Sequence, residues 1–143
     1  MHTITKCSFL ALALLALLCF PLSADQNAAR WPDKLPGTWS GTWGNEYEHG
    51  TFVWIFGSDG RFQGTLHDST YSTPDGTVQG ELDKSGAIPS IVTFTYQYPQ
   101  VGKFSGSGPM IMNGTRHLIG IVRLLKSDGS HLGDVAIDLT KDK

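Results

Sequence analysis

Three groups of residues in this chain carry side chains suited to proton transfer or metal ligation. Glu46, Glu48 and His49 stand together, His67 directly precedes Asp68, and His131 stands just before Asp134. A zinc site needs three or four ligands in fixed tetrahedral geometry, and the 46, 48, 49 pattern matches no stringent ligand spacing, so this group reads as a solvated loop. The two His–Asp groups are chemically able to exchange protons. Each falls at the end of an alternating stretch, where polar residues are ordinary, and no serine sits in a G-x-S-x-G setting. No catalytic residue, cofactor or metal ligand is assigned on this basis, and a non-enzymatic protein is expected. Asn113-Gly114-Thr115 satisfies the glycosylation sequon, but Asn-Gly already has a role as a turn.

Recognition chemistry is better represented. Trp39, Trp43, Tyr96 and Tyr98 combine apolar rings with a polar N–H or O–H, the usual mixture in a small-molecule site. Phe62, Phe94 and Met110 share the parity of the other inward positions on their stretches. Trp39, Trp43, Phe62, Phe94, Tyr96 and Met110 are therefore the candidate ligand contacts. Each has a competing role as plain core, and for Met110 and Met112 core is the simpler one.

These side chains have to be positioned by strands. From residue 37 onward the hydrophobic period is two, with turn residues every 8 to 12 positions, and no stretch has helix periodicity. The strands are expected at 37–43, 51–57, 61–67, 76–82, 90–98, 102–112, 116–125 and 132–140. Ser58-Asp59-Gly60 and Ser127-Asp128-Gly129 place glycine where a tight hairpin needs positive φ, and Asn113-Gly114 signals a two-residue hairpin. Consecutive hairpins make a meander, so the expected fold class is all-β: an eight-stranded antiparallel up-and-down barrel. Such a barrel has no open edge and room inside for side chains or one small ligand.

Gly41, Gly64, Gly80, Gly106 and Gly120 fall inside the expected strands, where glycine is costly unless a sharply curled strand needs it. Alternation points Trp39, Trp43, Phe62, Leu66, Val78, Leu82, Val92, Phe94, Tyr96, Tyr98, Phe104, Met110 and Met112 inward. Residues 52–56 and 118–122 are apolar on both faces. A contiguous exposed patch of that kind marks an interface, so a homo-oligomer burying the outer face of residues 118–125 is expected.

Near its N-terminus the 143-residue chain carries Lys6, then an apolar run from Phe9 to Leu22 and then Ser23-Ala24, the order of a secretory signal peptide. The run is shorter than the roughly 20 residues that cross a bilayer. Residues 1–24 are expected to be a cleaved leader, 25–36 a lead-in whose Trp31 plugs one mouth, and 37–143 the barrel domain; the mature protein is expected to be secreted or periplasmic, with no membrane span. Bulky Leu18 before Cys19 argues against a lipid anchor there. Cys7 and Cys19 both leave with the leader, which removes disulfides and thiol nucleophiles. Formal charge is −2 for the whole chain and −3 once Lys6 is gone. The basic residues are scattered one or two to a strand, so no nucleic-acid surface is expected.

Three fragments resemble the calycin barrels, meaning lipocalins, fatty-acid-binding proteins and especially the avidin and streptavidin family. Gly37-Thr38-Trp39 is similar to their G-x-W opening, and Asp59-Gly60-Arg61-Phe62-Gln63-Gly64-Thr65 to the avidin turn into strand three. Leu124-Leu125-Lys126-Ser127 with Val135-Ala136-Ile137-Asp138-Leu139-Thr140-Lys141 is similar to the last two strands. The resemblance implies a ligand inside the barrel, but not biotin. Gly41 and Leu66 stand where the family places polar contacts to the ureido oxygen, and Arg123 where it places a wall tryptophan. Only Asp138 keeps the family's acid. The same matching would turn Arg123 and Asp138 inward as an ion pair able to orient a polar ligand, and it adds both to the candidate contacts; the alternative is that both face solvent, with Val122, Leu124, Ile137 and Leu139 inside.

The expected role is thus a binding protein for a small, largely apolar molecule. The alternative is a protein-interaction or inhibitor module with a filled barrel, contacting partners through loops 44–50, 68–75 and 99–101.

Overall fold

The computed structural model describes residues 31–71, 73–83, 85 and 89–143, leaving out the side chains of Trp31 and Pro32. The expected leader, most of the lead-in segment and the Trp31 ring lie outside the described residues. After one 3-10 turn at Trp31–Lys34 come eight strands: β1 (Gly37–Gly44), β2 (His49–Phe56), β3 (Arg61–Asp68), β4 (Gly76–Leu82), β5 (Ser90–Tyr98), β6 (Gly102–Asn113), β7 (His117–Lys126) and β8 (His131–Lys141). Each pairs antiparallel with its sequence neighbours, and β1 pairs with β8 from Trp39↔Lys141 to Gly44↔Ala136, which closes the barrel. No helix among the described residues is long and apolar enough to cross a membrane.

Alternation is the physical cause of the architecture. In β5 every second residue, from Ser90 to Tyr98, is buried and each one between is exposed. β2 likewise buries Phe52, Trp54 and Phe56 while Ile55 remains about half exposed (49%). The strand that is greasy on both faces is therefore covered by the core on one side only. The inward rings make a continuous aromatic column. Trp54 stacks on Phe62 with centroids 4.1 Å apart, Phe52 lies 5.2 Å from Trp54, and Tyr96 stacks on Phe104 at 5.2 Å.

The turns carry the backbone geometry expected of them, with Gly60, Gly114 and Gly129 all at positive φ. One connection differs in length: Asn113 pairs with His117, so three residues rather than two join β6 to β7. Gly106 has a packing role. A Cβ there would run into the ring of Phe94, its direct cross-strand partner, so the missing side chain is what lets that ring lie across β6.

Arg123 and Asp138 do not face each other inside. Leu124 and Val122 occupy the interior on β7, and Ile137 and Leu139 on β8, so a period of two forces the residues between them outward. The Arg123 side chain is 67% exposed with its Nε 3.6 Å from Asp134, and Asp138 lies 2.6 Å from His117 Nε2. The inward ion pair implied by the resemblance is replaced by two separate surface contacts.

Candidate functional site

An up-and-down meander sends alternate connections to the same end. The β2–β3, β4–β5 and β6–β7 turns gather at one end with both terminal segments, and the β1–β2, β3–β4, β5–β6 and β7–β8 loops gather at the other. The first end is closed. Leu35 is buried there, and Trp39 Nε1 donates to the Leu35 carbonyl at 2.8 Å. Lys141 Nζ donates to the carbonyl of Lys34, which fastens the lead-in across the end of β8.

The other end opens into a cavity of about 340 Å³. Its walls are Trp43, Leu66, Tyr96, Tyr98, Phe104 and Leu124 from the strands, with Tyr71, Thr73, Val101 and Leu132 around the rim. Two acids, Glu48 and Asp68, complete the lining, which among the described residues contains no lysine, arginine or histidine. A larger depression of about 700 Å³ lies on the outer wall near the closed end, among outward side chains such as Arg61, Gln63, Gln79, Glu81, Thr93 and Thr95. It is a shallow trough in a twisted sheet, edged by solvated polar groups. The mouth cavity is the one walled by core aromatics.

The sequence-derived candidates divide accordingly. Trp43 and Tyr96 line the mouth cavity. Trp39, Phe62, Phe94 and Met110 are buried deeper, within the packed column. Arg123 and Asp138 lie on the outer wall. Glu48 and Asp68, read from sequence as part of a solvated loop and an ordinary strand end, are instead at the mouth. The parity rule of a meander held a signal for them, because loops 44–50, 68–75 and 99–101 all fall at this end.

The mouth is held by local hydrogen bonds. Asp68, only 7% exposed, accepts from the backbone N–H groups of Thr70 and Tyr71 through Oδ1 and so fixes the start of the β3–β4 loop. Asn45 Oδ1 accepts from the N–H groups of Tyr47 and Glu48, shaping the β1–β2 connection. Gly50 lets the Trp43 ring press against β2, since a Cβ there would strike both that ring and the His67 carbonyl. Among the described residues the Glu48 carboxylate has no hydrogen-bond or ion-pair partner.

Removal from water, and then the neighbouring Asp68 charge, push the Glu48 carboxyl above its ordinary range. The Tyr96 hydroxyl is driven up by burial and by Glu48, and Tyr98 by burial and by Asp68, so both phenols stay neutral across the physiological range. Among the described residues the buried Trp43 Nε1, the Thr73 hydroxyl and the Tyr98 hydroxyl lack a hydrogen-bond partner. Such atoms normally find one, and leaving one unmet costs on the order of 1 to 3 kcal/mol. Among the described residues no group of three or more His, Cys, Asp or Glu is arranged to hold a metal.

No protein-family description and no curated protein matches the sequence. Among solved structures, the barrel is similar to EF1p2_mFAP2b bound to DFHBI, with a TM-score of 0.56 at 16% sequence identity, over 80% of this chain and 99% of that one. The likeness shows a shared barrel fold.

Proposed function

We propose that this protein is a secreted or periplasmic, non-enzymatic binding protein that holds a small, largely apolar molecule in the open mouth of its barrel. The observation that carries this reading is the aromatic-walled cavity of about 340 Å³ with unpartnered polar atoms among its lining residues. That volume lies within the roughly 300–1,000 Å³ of ordinary small-molecule sites. EF1p2_mFAP2b, bound to DFHBI, supports the reading as a barrel of similar fold that carries a ligand. The avidin likeness is proposed only at the level of the barrel. With Asp138 turned to solvent, the last of the family's polar contacts is gone, and tight biotin binding is not expected.

The test is titration with the neutral apolar dye N-phenyl-1-naphthylamine, followed by its fluorescence, together with native mass spectrometry of the mature protein. Saturable binding is expected, reduced at least about tenfold by Leu124→Trp, which places an indole where Leu124 lines the cavity. Absence of dye binding and of any co-purified mass would favour the loop-mediated interaction module instead.

We also propose association through the outer face of residues 118–125. Ile121 is 61% exposed, and Ile111 on the adjoining β6 and Ile91 on β5 beyond it are each 46% exposed.

A further inference from the structure

The ligand's polar end can be argued from the charges that surround it. This step rests on the ligand-binding reading above and asks what kind of molecule the mouth selects. Among the described residues, Glu48 and Asp68 are the only formally charged ones lining the cavity. Neither has an ion-pair partner among the described residues. Asp68 uses Oδ1 for the backbone N–H groups of Thr70 and Tyr71, and its other oxygen makes no hydrogen bond among the described residues.

The Tyr98 hydroxyl is a further unmet polar group beside this mouth. Tyr98 is 8% exposed and lines the same cavity, and its enclosed hydroxyl oxygen has no hydrogen-bond partner among the described residues. A phenol oxygen can accept from an N–H as well as donate. Four aromatic side chains at the same mouth, those of Trp43, Tyr71, Tyr96 and Tyr98, offer π faces of the kind that attract cations.

We propose that the mouth cavity takes an apolar molecule bearing a protonated amine, its ammonium held by Glu48 and Asp68 and its hydrocarbon body against Trp43, Tyr96 and Tyr98. An anionic ligand would meet two uncompensated carboxylates in a partly dehydrated site. A neutral ligand would leave them as they are. A cation offsets the lost hydration that chiefly raises the Glu48 carboxyl, and relieves the repulsion between the two acids. Selection for charge is thereby built into the rim, while the apolar walls set size and shape.

The experiment is isothermal titration calorimetry at pH 7 with tryptamine, neutral tryptophol and anionic indole-3-propionate, which share an indole and differ mainly in the charge of the side chain. Tryptamine is expected to bind at least about tenfold tighter than tryptophol, with indole-3-propionate weakest. In Glu48→Gln, its fold checked by circular dichroism, the preference for tryptamine over tryptophol should shrink severalfold. Equal affinities, a preference for the acid, or a tryptamine preference that survives Glu48→Gln would each overturn the proposal. Failure of tryptamine to bind a protein that binds the neutral dye would do the same and leave the apolar-cavity reading standing. Failure of all four probes would remove both.

Discussion

Glu48, on the short connection between β1 and β2, is half-buried beside Asp68 with no ion-pair partner among the described residues. Its folded-state pKa lies above the unfolded value, first through desolvation and then through Asp68. A group of this kind contributes stability below its unfolded pKa, and that contribution is lost as pH rises through the folded value. Glu48→Gln, which stays neutral, is therefore expected to melt at a higher temperature than the natural protein at pH 7. Near pH 3.5 the gain should disappear, because both proteins are then neutral at this position. Thermal melts at the two pH values decide it, and an equal Tm at pH 7 would mean the carboxylate is not strained. Arg123 and Asp138 lie at the opposite extreme. Their exposed contacts to Asp134 and His117 predict that Arg123→Ala changes stability by less than about 1 kcal/mol and leaves dye binding intact. Phe94, by contrast, is buried against Phe52, Trp54 and Tyr96, and Phe94→Ala should cost about 3–5 kcal/mol in urea unfolding.

At the level of strands and turns, the bare backbone at Gly106 is what lets β6 carry the Phe94 ring. Gly106→Ala should lower stability by about 1–3 kcal/mol through overpacking. The coupling is local, so Phe94→Leu in the same chain should cost less than it does alone, and a double-mutant cycle measures the difference. Strand positions were legible in the sequence because the period of two and the turn residues act over a few neighbours. The β6–β7 connection was less so. Asn-Gly favours positive φ, and Gly114 has it, but the loop takes a third residue because Asn113 pairs with His117, a matter of how two long strands settle against each other. The lateral contact that requires Gly106 was equally out of reach, since it depends on which ring lies opposite.

For the molecule as a whole, association through the outer face of β7 predicts a concentration-dependent mass in analytical ultracentrifugation. Ile121→Glu should return it to that of a single barrel without altering dye binding, and a constant single-barrel mass for the natural protein would refute the association. The sequence by itself determined the eight strands, the inward parity of Trp39, Phe62, Phe94 and Met110, and the meander, because each follows from local alternation and turn chemistry. Tertiary structure decided which of the candidate residues meet. β1 had to reach β8 before the two ends became distinct, one sealed by Leu35 and the other left open. Glu48 and Asp68 meet through the β2–β3 ladder, which sets Gly50 opposite Asp68, but only the closed barrel brings Tyr96 and Tyr98 to the same mouth. Arg123 and Asp138 went outward because their strand neighbours Val122, Leu124, Ile137 and Leu139 take the interior positions.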